Sequence, residues 1–338
     1  FQRTKINTSF STWTEIICGV PQGSVLGPLL FNLYLNDLFY SLKETEPCNF
    51  ADDTTPYACG LDLQSVLRRL ENDTLFAIIW FEDNYMKLNE DKCHLLISGH
   101  THEHIWANVG NTMIWESGSE KLLGAIIDKN LKFDEHVSKL CTKVSRKVTM
   151  LSRITKYMTL HKRRMLFKSF VESQFSYCPL VWMFHSRTSN TKINRVHLRA
   201  LRLVYKDYTS TFDELLERDQ SFSIHHRNIQ LLAMELYKNK HDLSHEVIKG
   251  IFDQRNYTGI GLRSQIDFKR PNNNKVHHGD DSLRSLGPII WNLIPNEIKS
   301  VKSFEKFKSL IKEWKPSDCP CRLCKTYVRG LGYVNLTD

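Results

Sequence analysis

The chain has no long apolar run. Of its 338 residues 41% are hydrophobic, yet no stretch reaches the roughly 20 apolar residues of a membrane-spanning helix. No positively charged segment leads into an apolar one near the start, so we expect no secretory leader. Cysteine is sparse: nine residues, mostly scattered singly, exclude a disulfide framework and point to reduced thiols inside a cell. The Asn-x-Ser/Thr triplets at Asn7, Asn72, Asn256 and Asn335 are then chance matches. There is no internal repeat and no low-complexity tract, which excludes a repeat array. Acidic residues are nearly missing from one place. Residues 139–206 hold sixteen Lys/Arg against one acid, Glu172, a net of +15, whereas 1–138 carry −9 and 207–338 carry +3. A solvated helix face is the plain source of a charge run. A folded segment this one-sided has the footprint of a surface that lies on a phosphate backbone.

What is there divides by pattern. Ile16-Ile17 reads as the end of a strand before a Gly/Pro turn, and Pro28 suits the first turn of a helix continuing to Leu42. Cys48 to Gly60 reads as strand, tight turn, strand. An amphipathic helix follows, with Leu63, Val66, Leu67, Leu70, Leu75, Ile78 and Ile79 on its buried side. His94–Ser98 and Lys121–Asp128 read as strands. From Phe133 the pattern turns helical, with Asp134 as a cap and Val137, Leu140, Cys141, Val144, Val148, Leu151 and Ile154 on one stripe. Two more basic amphipathic helices follow, and 270–282 reads as a long loop. Antiparallel strand signals without regular βαβ alternation give an α+β class.

The dipeptide Asp52-Asp53 sits where the hairpin should turn. Two carboxylates on a rigid turn suit a hard divalent cation, though aspartate is also ordinary turn chemistry. Upstream stands GVPQGSVLGPLLFNLYLNDL, Gly19 to Leu38. With FADDT this stretch resembles the palm motifs of reverse transcriptases, most closely the jockey-like, non-long-terminal-repeat retrotransposon branch. Residues 80–99, 121–137 and 177–205 are similar to that family's later segments in order, so the resemblance covers nearly the whole chain.

The resemblance implies a fold and a set of roles. Residues 1–135 would be the C-terminal part of a polymerase palm, an antiparallel sheet with helices. Residues 136–245 would be an all-α basic thumb, and 246–338 a mixed C-terminal extension. Asp52 and Asp53 would hold Mg²⁺ or Mn²⁺ in two-metal nucleotidyl transfer. Pro21, Gln22, Gly23, Phe50 and Ala51 would lie against the incoming nucleotide and template. Lys92 would protonate the leaving pyrophosphate. Leu123 and Gly124 would grip the primer. Lys139, Lys143, Arg146, Lys147, Arg163, Arg164, Lys168, Arg195, Arg199 and Arg202 would hold the duplex backbone, about half of them mattering. The partners would be an RNA template, a DNA primer and deoxynucleotides, with no membrane. The site would be a ribonucleoprotein in nucleus or cytoplasm. The family's third carboxylate, upstream of PQG, has no match here. Glu15 and Asp37 are the acids nearby, and the expectation is a shortened copy without the fingers. Activity of the chain alone is then doubtful, and the alternative is a catalytically dead nucleic-acid-binding remnant. A nucleotide cyclase of palm type is disfavoured by PQGSVLGP.

Cys319, Cys321 and Cys324 form a terminal Cys-x-Cys-x2-Cys cluster, candidate zinc thiolates without a local fourth ligand. The distant candidates for that fourth position are His277, His278 and Cys178. The competing reading is a reduced cluster without metal.

Overall fold

The computed structural model describes residues 1–17, 19–21, 23–99, 104–254, 267–272, 279–315, 319, 321, 323–328 and 332–335. The chain forms two compact units, Phe1–Gly118 and Ser119–Asp338. The α+β class holds. The described strands pair as five separate antiparallel ladders of two, so the larger sheet expected of a palm is not assembled among the described residues.

The first unit begins with β1 (Lys5–Ile6) and β2 (Ser9–Phe10). The helix expected from Pro28 is broken in two, α1 (Gly27–Leu35) and α2 (Leu38–Ser41). The hairpin β3 (Glu46–Phe50) and β4 (Asp53–Tyr57) leads to α3 (Leu63–Asp83), and β5 (Trp106–Val109) pairs with β6 (Thr112–Trp115). Asp62 starts α3 by accepting the Ser65 amide at 2.8 Å. The apolar stripe of α3 is only partly covered. Leu67 and Trp80 are buried, but Leu75 and Ile79 remain 52% and 46% exposed. The two cores that α3 serves are small: Leu35, Leu38 and Trp80, and Leu67, Ile105 and Ala107. Two strands expected from composition do not form. Ile17 is 91% exposed and pairs with nothing regular. In His94–Ser98, Leu95 makes one bridge to Glu116, and the pairing goes no further. Apolar content without a partner edge does not make a ladder.

Asp73 is the unit's buried acid. Its carboxylate accepts the amides of Lys43, Glu44 and Thr45 at 2.7–3.1 Å and the Thr45 hydroxyl at 2.7 Å. It thereby ties α3 to the loop before β3. Burial pushes its pKa up, but these four donors outweigh burial and hold it below the usual carboxylate range.

The second unit opens with the hairpin β7 (Ser119–Leu122) and β8 (Ala125–Asp128). Helices α4 (Asp134–Ile154), α5 (Leu160–Phe167), α6 (Ser173–Phe175), α7 (Pro179–Trp182) and α8 (Arg187–Tyr205) follow. Then come α9 (Phe212–Asp219), α10 (Ile224–Lys240), α11 (Glu246–Lys249), α12 (Leu283–Leu293), α13 (Asn296–Lys299) and α14 (Phe304–Glu313). The unit ends with β9 (Lys325–Val328) paired to β10 (Gly332–Asn335). The expected stripe of α4 is buried at Val137, Cys141, Val144, Val148 and Leu151, and its last residue, Ile154, is exposed. Phe133, not Asp134, is the cap, in a left-handed turn (φ 57°). Asp128 makes that turn possible by accepting the Phe133 amide at 2.6 Å, while Asp134 accepts hydroxyl bonds from Ser186 and Ser189.

Two large cores fill this unit. One joins α4, α5, α8 and α9 around Phe167, Trp182 and Leu201. The other joins α10, α12 and α14 around Tyr237, Trp291 and Phe307, and takes in Cys319, Cys321 and Leu323. Gly287 is required where α12 meets Phe252, because a Cβ there would lie 2.5 Å from the ring. Among the described residues, no helix is long and apolar enough to cross a membrane.

Candidate functional site

The Asp52-Asp53 pair lies at the tip of a tight hairpin. Phe50 pairs with Asp53, leaving Ala51 and Asp52 as a two-residue turn. The turn is legible in its flanks: Asn49 donates to the Ala51 carbonyl at 3.1 Å and accepts the Thr54 hydroxyl at 2.7 Å. Ala51 has a positive φ of 54°, which costs a residue with a Cβ on the order of 1 kcal/mol. Strain thus sits beside the two carboxylates. Phe50, Ala51, Asp52 and Asp53 are all exposed. Oxygen donors on a short hairpin with open positions fit a hard dication in kind. The number falls short. Among the described residues, neither Asp52 nor Asp53 belongs to a group of three or more His, Cys, Asp or Glu side chains placed to hold an ion. Glu15, on an exposed loop, and Asp37, exposed before α2, do not join them.

The PQG turn prepares α1. Gly19 and Gly23 take φ of 86° and 83°, which glycine adopts without strain. The Ser24 amide donates to the Pro21 carbonyl at 3.1 Å, and its hydroxyl accepts the Gly27 amide at 3.0 Å. Pro21 and Gly23 are exposed, and Gln22 lies outside the described residues. Lys92 sits exposed on a short 3₁₀ turn, Glu90–Lys92, after α3. In the second unit, Leu123 and Gly124 form the two-residue turn of β7–β8 with φ of 46° and 87°. The Tyr177 hydroxyl donates to the Leu123 carbonyl, and a Cβ on Gly124 would stand 3.3 Å from the Tyr177 ring. That close approach is a reason for glycine beyond the turn itself.

The basic helices form a groove. Between α4 and α8 an open groove of about 680 Å³ is lined by Arg146, Arg153, Lys192 and Arg195, by Ser138, Thr142, Ser145 and Thr149, and by the apolar Cys141, Met150 and Val196. The Thr142 and Thr149 hydroxyls donate to the Ser138 and Ser145 carbonyls at 3.0 Å. No carboxylate lines it among the described residues. Arg146 and Arg195 were expected from the sequence, whereas Arg153 and Lys192 were not among the candidates. Their i,i+7 and i,i+3 spacing from Arg146 and Arg195 was the available signal. Arg199 reaches Thr149 across the same helix pair at 3.0 Å. Lys143 and Lys168 are exposed, and Lys139 is paired with Glu135 at 2.7 Å. Lys147 has its pKa pulled down by burial and by Lys143. Arg202 is half-buried, and its Nε has no partner among the described residues.

Two arginines of the same run do something else. Arg163 is buried and donates to the carbonyls of Val204 and Met158 at 2.5 and 2.7 Å. Arg164 bonds the Asp219 carboxylate and carbonyl, both at 2.9 Å. These donors hold α5 to α8 and α9. A basic segment does not reveal which of its members packing consumes, and for Arg163 the duplex-backbone role gives way to a structural one.

The terminal cysteines have a fourth neighbour that spacing did not reveal. His225, in the first turn of α10, turns Nε2 toward Cys321 Sγ at 3.3 Å and Cys319 Sγ at 3.9 Å. With Cys324 these ligand atoms all lie within 4.8 Å of one another. Burial, with His226 and His185 nearby, pushes His225 down to about 3, so its ring is neutral. Cys178 is exposed and outside this group, and His277 and His278 lie outside the described residues.

Residues 3–153 match the family model described as reverse transcriptase (RNA-dependent DNA polymerase). Over 206 residues the chain is 24% identical to the RNA-directed DNA polymerase from mobile element jockey of Drosophila melanogaster, covering 57% of this chain and 22% of that protein. It is 27% identical over 176 residues to the retrovirus-related Pol polyprotein from type-1 retrotransposable element R1 2 of Nasonia vitripennis, covering 48% and 43%. It is 23% identical over 256 residues to the probable RNA-directed DNA polymerase from transposon X-element of Drosophila melanogaster, covering 70% and 26%. Each match spans less than half of the relative's own length. No solved structure matches the chain with significance.

Proposed function

We propose, from the match of residues 3–153 to the reverse transcriptase model, that this chain carries nucleic-acid-holding and cation-holding parts of the RNA-directed DNA polymerase of a non-long-terminal-repeat retroelement. By family the matched segment is that of a nucleotidyltransferase. The observation that carries the reading is the α4–α8 groove, four cations over a floor that includes Cys141, Met150 and Val196, without an opposing acid among the described residues. Such a lining suits phosphates met in any sequence, since it neutralises charge and donates to oxygens without reading bases. In this reading residues 1–135 are of palm type, 136–245 of thumb type and 246–338 an extension. The partners are an RNA template, a DNA primer and deoxynucleotides. In the same reading the chain works inside the cell, in a ribonucleoprotein.

Asp52 and Asp53 would hold Mg²⁺ or Mn²⁺, which when bound supplies charge neutralisation at the transferring phosphate. The strained Ala51 turn keeps the two carboxylates at the hairpin tip. Pro21, Gly23 and Gln22 would lie along the nucleotide, and Lys92 would hold a proton for the leaving phosphate at Nζ. Leu123-Gly124, braced by Tyr177, would bear on the primer strand. A second reading, duplex holding without polymerisation, is favoured by one observation: no third ligand joins the Asp pair among the described residues.

Primer extension on an RNA template with Mg²⁺ separates the two. Extension by the chain, lost in Asp52→Ala/Asp53→Ala, supports the polymerase reading for this chain. No extension by either form, with duplex binding intact in both, supports holding alone. Absence of both extension and binding overturns both readings.

A further inference from the structure

We propose that His225, Cys319, Cys321 and Cys324 form a closed, four-coordinate zinc site that clasps the end of the chain to α10. Three thiols and an imidazole are soft and borderline ligands, the set that selects zinc over the hard cations an aspartate pair would take. Zinc–sulfur and zinc–nitrogen bonds of about 2.3 and 2.0 Å set tetrahedral edges of about 3.8 Å between sulfurs and about 3.5 Å between sulfur and nitrogen. The Nε2–Sγ separations of 3.3 and 3.9 Å bracket that second edge. All four ligand atoms fit within 4.8 Å. The cysteines are free of disulfides, so the sulfurs remain available.

Burial decides the kind of site. Cys319, Cys321 and His225 are 2%, 0% and 4% exposed, inside the core built on α10, α12 and α14. Four protein ligands leave no position for water or substrate, which marks a structural centre. The ring also has one hydrogen-bonding edge to offer. Its Nδ1 has no partner among the described residues, and Nε2 faces the thiols. The histidine lies 94 residues before Cys319, so the ion would close a long loop across the second unit. The clasp stands independently of the polymerase reading.

The test is metal analysis of the whole chain, expressed with zinc and dialysed under reducing conditions. About one zinc per chain is expected, with less than about a tenth of it retained by His225→Ala or Cys321→Ser. His225→Cys keeps a four-thiolate set and should keep the metal. Cys48→Ser, at an exposed cysteine of the first unit, should not change it. Should the ligand variants misfold, cobalt exchanged into the unmutated chain still decides. Intense tetrahedral bands with thiolate charge transfer, shifted in His225→Cys, are expected. Absence of stoichiometric metal from the unmutated chain, cobalt spectra of a six-coordinate ion, or full retention by folded His225→Ala would overturn the proposal.

Discussion

The two units bury their apolar residues very differently. In Phe1–Gly118 the cores hold three buried residues each, and Val25, Leu26, Leu29, Leu33 and Tyr40 are exposed. In Ser119–Asp338 two extended cores surround fully buried Trp182, Trp291, Tyr237 and Phe307. Yet the motifs with the most specific sequence, PQG and FADD, are in the thinly packed unit. They are short turns whose geometry comes from glycine, local hydrogen bonds and a two-residue loop rather than from a deep core. The basic groove is the opposite case. Its cations are anonymous in sequence, and only the packing of α4 on α8 brings them together.

The contrast predicts unequal costs. Trp182→Ala, which removes a fully buried ring and its bond to the Tyr177 carbonyl, should destabilise the second unit by about 3–5 kcal/mol. Leu29→Ala, 56% exposed, should change stability by less than about 0.5 kcal/mol. Urea midpoints of the two variants check this, and equal shifts would erase the distinction between the units.

Asp73→Ala should cost the first unit about 2–4 kcal/mol, because four donors lose their acceptor in a buried place. The sign with pH follows from its lowered pKa. The contribution is present above the unfolded value, 3.8, and is lost as pH falls through the lower folded value. Amide exchange of the loop at Lys43–Thr45 reads the effect locally.

An effect confined to acid pH is expected in the second unit. His197 stacks on Phe167 at 5.8 Å and meets Phe212 edge-on at 5.3 Å. Burial and Arg227 push its pKa down to about 3, against an opposing pull from Asp219. Because the unfolded ring takes a proton at 6.5 and the folded one does not, stability is full above that pH and falls from there toward 3. His197→Phe should flatten this slope in thermal melts, and an unchanged slope would exclude His197 as its source.

Much of this was legible in sequence. Alternation and turn chemistry gave the β3–β4 hairpin, and 3.6-residue periodicity gave α3, α4 and α8. What was missed depends on partners far along the chain. Leu75 and Ile79 match a buried stripe, but no element covers them. Asp134 has the look of a cap and instead receives hydroxyls from α8. Arg163 looks like its basic neighbours and is consumed by the Val204 carbonyl. His225 had no local signal at all, since its cysteines lie more than 90 residues away.

The central claim is that the α4–α8 groove holds a nucleic-acid backbone. The direct measurement is the affinity of the chain for a template–primer duplex as salt is raised, beside Arg146→Ala/Arg195→Ala. That variant should bind more weakly on every sequence, with a salt slope smaller by about two. An unchanged affinity and slope would contradict it.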